Sequence, residues 1–111
     1  MKQICVQVQP GLDPRLSLDA VRAAFDAISA SPLVLWQERS EGKDQGPWLN
    51  FLIGTNDLAC CWALLQRTLY QESTLGGPLT KCSIAVCEGM HGWDDYLLLH
   101  HLDPSEPLDT L

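Results

Sequence analysis

No lysine or arginine follows Lys81. Residues 82–111 carry Glu88, Asp94, Asp95, Asp103, Glu106 and Asp109 with no basic side chain, whereas residues 1–81 hold seven basic and eight acidic groups. Almost all of the formal net charge of −7 therefore lies in the C-terminal segment. Such a field repels nucleic acid and anionic membranes and attracts basic partners. A solubilising role is the simpler reading of the same charge.

Other absences narrow the chemistry. No apolar run approaches the roughly 18 residues that span a bilayer, so no membrane association is expected. Met1-Lys2-Gln3-Ile4-Cys5 has no continuous apolar stretch of the kind a secretory signal needs. A cytoplasmic protein without a targeting segment is the expectation. Cys5, Cys60, Cys61, Cys82 and Cys87 form no CxxC pair, and there is no HExxH. An odd cysteine count in a reducing compartment points to free thiols, packed as small hydrophobes. His91, His100 and His101, with Asp94 or Asp95, match no metal-ligand spacing. No metal or cofactor is expected. G-x-S-x-G is missing, and Gly76-Gly77-Pro78 lacks the Lys-Ser/Thr of a P-loop. Cys87 and His91 are close in sequence, but acidic surroundings oppose a thiolate. The Asp94-Asp95 pair reads as a solvated turn or cap rather than an acid/base dyad. A non-enzymatic protein is expected.

What is present is a chain of 111 residues, 46% hydrophobic and 19% charged. These values fit one globular domain. Ile4-Cys5-Val6-Gln7-Val8-Gln9 alternates as a strand, and Pro10-Gly11 ends it. Asp13 before Pro14, or Ser17 as a rival, caps a helix with Leu18, Val21, Phe25 and Ile28 on one side. Ser31-Pro32 closes that helix. Leu33–Arg39 and Trp48–Ile53 read as an antiparallel hairpin across the polar Ser40–Pro47 loop. Asn56 is a good cap, with Asp57 favourable to the dipole, for a helix striped by Leu58, Cys61, Trp62, Leu65 and Leu69. Leu75-Gly76-Gly77-Pro78 ends that segment. Cys82–Cys87 is a fourth strand, Gly89–Asp95 a turn-rich loop, and residues 96–102 a strand or a short helix.

This order predicts an α+β fold, a ferredoxin-like βαββαβ sandwich with an extra C-terminal strand or short helix. Residues 1–103 form the domain, and 104–111 a flexible acidic tail. In this plan helices cover one sheet face. The second and third strands are apolar on both sides, so the other face also needs cover, from the C-terminal segment, a second copy or another protein. Trp48 and Phe51 fall on opposite faces by parity, and no basic patch accompanies them. That disfavours base stacking and nucleic-acid binding.

Pro10-Gly11-Leu12, between first strand and first helix, is similar to the loop of ACT domains. Those are βαββαβ modules that bind small effectors, usually at dimer interfaces. The resemblance covers three residues and implies a ligand site near Gly11, whose backbone N–H groups could take a small anion. An ACT-like regulatory domain is thus the alternative function, with a small ferredoxin-like enzyme using His91, His100 or His101 as a further one.

The leading expectation is a small acidic inhibitor, such as an immunity protein or antitoxin, that blocks a toxin or enzyme. Its partner is another protein with a basic surface, with a homodimer as the other option. Small size, one-sided acidity and adjacent aromatic residues support it, because aromatic anchors and electrostatic steering serve such contacts. The expected contacts are Trp93, Asp94, Asp95 and Tyr96. Trp36, Trp48 and the Glu41–Asp44 loop form a second patch.

Overall fold

A computed structural model describes residues 1–111. The strands are β1 (Lys2–Val8), β2 (Trp36–Gly42), β3 (Trp48–Thr55), β4 (Ser83–Gly89) and β5 (Gly92–His100). The helices are α1 (Leu18–Ser29), α2 (Leu58–Leu65) and α3 (Gly76–Cys82), and a π turn at Gln66–Tyr70 extends α2. The strands make one antiparallel sheet in the order β2-β3-β1-β4-β5. The architecture is α+β. It differs from a simple four-stranded βαββαβ sheet because β5 pairs outside β4.

The sheet has a covered face and a helix-free face. Alternation sends Ile4, Val6 and Val8 of β1 and Leu49, Phe51 and Ile53 of β3 to the helices. They meet Val21, Phe25 and Ile28 of α1, Cys61 and Leu65 of α2, Leu69, and Leu79 of α3 in one buried cluster. Phe25 and Phe51 stack with ring centroids 3.8 Å apart, and Arg39 Cζ lies over the Phe51 ring, 5.3 Å from its centroid.

Several boundaries depart from the sequence reading. Ser17, not Asp13, caps α1, and its hydroxyl accepts the Ala20 N–H. Asp13 instead accepts the Arg15 backbone N–H and a two-pronged guanidinium contact. Asp57, not Asn56, caps α2 by accepting the Cys60 N–H. The second strand begins at Trp36 rather than Leu33, because Ser31 holds the preceding residues in a turn through the N–H groups of Leu33 and Val34. The second strand is consequently polar beyond Trp36, and of these two strands β3 alone is apolar on both sides.

Gly76-Gly77-Pro78 starts a helix instead of ending one. Pro78 is tolerated in the first turn, where backbone N–H groups have no intrahelical acceptor. Gly76 is needed because a Cβ there would collide with the Tyr70 carbonyl. Cys82 closes α3, so β4 starts at Ser83. Residues 96–102 do not form a helix: β5 is a strand running from Gly92 to His100, and Met90-His91 make the tight turn before it. Gly92 has φ +86°, a backbone region that favours glycine.

The C-terminal residues lie along the outer edge of β5. The Asp109 N–H donates to the Leu98 carbonyl and the Leu98 N–H to the Asp109 carboxylate, both at 2.8 Å. This covers one sheet edge, leaving β2, with charged Glu38, Arg39 and Glu41, as the other. No helix is long and apolar enough to cross a membrane.

Candidate functional site

The helix-free face is built row by row from the strand register. One row runs across all five strands: Glu38, Leu52, Cys5, Val86 and Leu98. A second holds Ser40, Asn50, Gln7 and Ile84. The Asn50 side-chain oxygen is buried without a hydrogen-bond partner. At the β2–β3 edge, Trp36 sits opposite Gly54 and Trp48 opposite Gly42. Each indole lies over its glycine, since an added Cβ at either position would strike the ring. The two tryptophans thus cover sheet backbone that has no side chain of its own. The Trp36 indole N–H also points at Met1 Sδ, 3.0 Å away.

At the β4–β5 edge the face opens into a groove of about 530 Å³. Ile84, Val86 and Leu98 form its floor with Trp93, Tyr96, His101 and Glu106. Trp93 is 39% exposed and Tyr96 56%. Glu106 is presented by a compact turn in which its N–H donates to the Asp103 carbonyl and the Asp103 carboxylate accepts from Ser105. The Asp103 N–H in turn donates to His101 Nδ1.

The expected contact residues divide accordingly. Trp93 and Tyr96 share the groove. Trp36 and Trp48 lie on the same face but at the opposite edge, several strands away. Asp95 is spent locally, accepting the His91 backbone N–H and lying 3.1 Å from His91 Nδ1. Asp94 is exposed beside them. Glu41 turns to the helix side, 3.9 Å from Arg22, and Asp44 sits in the β2–β3 turn. The groove's aliphatic floor and Glu106 were not among the expected contacts. The alternation of β4 pointed to Ile84 and Val86, but nothing local in sequence brings Glu106 to them.

The basic side chains are placed elsewhere. Arg15, Arg22 and Arg39 face carboxylates of Asp13, Asp19, Glu41 and Asp26 on the helix side. Lys2 Nζ donates to the Gly89 carbonyl. Arg67 and Lys81 belong to the helical layer and Lys43 to the β2–β3 turn. The strand positions of the helix-free face therefore carry Glu38 and Glu88 and no cation.

Cys87 is buried in the core, and desolvation pushes its thiol pKa up. Cys5, Cys61 and Cys82 are raised by the same cause, and Cys60 by its contact with the Asp57 carboxylate. None has the lowered pKa of an activated nucleophile. No three His, Cys, Asp or Glu side chains converge as a metal-ligand set. His100 stacks on Tyr70 with centroids 4.4 Å apart, and its Nε2 lies 3.0 Å from the Thr80 carbonyl. Tyr70 is hydrogen-bonded to Ser83 at 2.8 Å, and burial raises its hydroxyl pKa. Near Gly11, the chain makes a single 3-10 turn without a positive φ. The buried Asp13 carboxylate, held down to about 2 by its hydrogen bonds from Arg15, stands two residues away. The Arg15 guanidinium is spent on that carboxylate, so the loop offers no unpaired cation to an anion.

The chain matches no protein-family model, no curated protein and no solved structure.

Proposed function

We propose that this is a non-enzymatic protein-binding module, an inhibitor of the immunity-protein or antitoxin kind, which docks its helix-free sheet face on a basic protein. One observation carries the reading: that face combines Trp93, Tyr96, Leu98, Ile84, Val86 and Leu52 with carboxylates and no cation at its strand positions. Apolar and aromatic groups supply binding energy when buried in an interface. The surrounding negative charge speeds encounter with a basic surface.

The same charge argues against a second copy as the cover. A face-to-face homodimer would bring Glu38 and Glu88 of both chains into one interface, where like charges disfavour association. The order β4-β1-β3-β2 with all helices on one side supports a ferredoxin-like unit extended by β5. Binding through such a sheet face needs no pre-formed deep cavity. A cytoplasmic partner fits the five free thiols.

The test is affinity capture of the tagged chain from lysate of its own cells, at low and high salt, with mass spectrometry. The expected result is one stoichiometric basic partner whose retention falls as salt rises. Recovery of the chain alone as a dimer would refute the reading.

A further inference from the structure

We infer that the β4–β5 groove is a guanidinium site, the seat of an arginine side chain of the docked partner; this rests on the partner reading above. The groove supplies the three features such a group requires. Trp93 and Tyr96 offer aromatic faces, on which a planar guanidinium stacks. Ile84, Val86 and Leu98 offer an apolar floor for the aliphatic stem. Glu106 lines the same groove, and its carboxylate can accept two parallel N–H donors.

That carboxylate is free. Glu106 forms no ion pair within the chain, although Lys81 lines the adjoining cleft with it. The Asp103–Glu106 turn is held by its own hydrogen bonds, which fix the backbone that carries Glu106 beside the groove. The chain's own arginines are engaged elsewhere, Arg15 with Asp13, Arg22 with Asp19 and Glu41, and Arg39 with Asp26. An anionic guest would meet Glu106 and find no cation among the groove residues. An uncharged apolar guest would leave the carboxylate partly desolvated and unpaired, which is unfavourable. A guanidinium satisfies both halves of the groove. Lysine would fill the stem path and reach the carboxylate, but as a point charge it gives up the planar stacking.

The experiment titrates the whole chain with n-butylguanidinium and, separately, with neutral 1-pentanol, following the Trp93 indole N–H signal by NMR. The expected result is a saturable shift with n-butylguanidinium and a weaker or absent response to 1-pentanol. Glu106→Gln should weaken the guanidinium response by about two- to fivefold, the range of an exposed ion pair. Trp93→Leu, followed at the Leu98 amide, should weaken it by about two- to fivefold through loss of the aromatic face. Equal responses to the two probes, or an unchanged affinity in Glu106→Gln, would overturn the inference. Capture separates this inference from the partner reading. A basic partner retained equally by the wild type, Glu106→Gln and Trp93→Leu overturns the arginine seat and leaves the docking face standing. A saturable guanidinium response with no partner retained supports the groove chemistry and overturns the partner reading.

Discussion

Gly54→Ala is the substitution whose sign depends most directly on the sheet's helix-free face. The new methyl group would lie within the Trp36 indole, contacting Nε1, Cε2 and Cζ2. The ring must leave its seat or the strands must separate. Overpacking of this kind typically destabilises by about 1–3 kcal/mol. For a domain of this size, that corresponds to a fall in Tm of about 4–15 °C. Against it stands a gain: alanine restricts the unfolded chain more than glycine does, worth about 0.4–1 kcal/mol. Removing the indole should therefore reverse the sign. In a Trp36→Ala background, Gly54→Ala should be neutral or stabilising by up to about 1 kcal/mol. A double-mutant cycle read by urea denaturation isolates this coupling, expected at about 1–3 kcal/mol. Additive effects would refute the claim that Trp36 covers Gly54, and with it the structural reading of this edge.

Asp57→Ala should destabilise by about 1 kcal/mol through loss of the α2 cap, measured by chemical denaturation, whereas Asn56→Ala should change little. His100 is held below its usual pKa, mainly by burial, so the folded state favours the neutral ring. Its contribution is present above the unfolded value near 6.5 and is lost as pH falls through that value toward the lower folded one. His100→Gln should flatten the stability-versus-pH curve in that window. An unchanged slope would mean that the ring is not desolvated against Tyr70. Asp13 titrates lower, and its contribution should fade only as pH drops from about 4 toward about 2, a loss that Arg15→Ala should shrink but not abolish, because the residue 15 backbone N–H still donates to the carboxylate.

How much was legible in sequence follows from how local each signal is. The alternation of β1 and β3 and the stripes of α1 and α2 are short-range patterns, and burial of Val6, Phe51, Phe25 and Leu65 follows from them. The placement of Trp48 and Phe51 on opposite faces is of the same kind. α3 was hidden because Gly76-Gly77-Pro78 looks like a break. Only the approach of the Tyr70 carbonyl shows why glycine is required there. β5 was obscured by register shifts against β4, which spoil its period-two pattern around Leu97 and Leu98. The two Trp–Gly pairs depend on cross-strand register, and the approach of Glu106 to Trp93 on a turn beyond β5. Neither is encoded in any short window. In the site itself, Trp93 and Tyr96 were recognisable as aromatic anchors. Charge alone marks Glu41 and Asp95 as contacts, but the fold engages them with Arg22 and His91.

The most direct test of the docking face is charge reversal on each side of the sheet. Glu38→Lys with Glu88→Lys changes only exposed or half-exposed strand positions of the helix-free face. Asp19→Lys, on the exposed surface of α1, changes the charge of the opposite layer. Capture of the basic partner at low salt should be lost or strongly weakened for the first variant and retained for the second. Equal retention by both, or loss only with the α1 change, would contradict the assignment of the helix-free face as the binding surface.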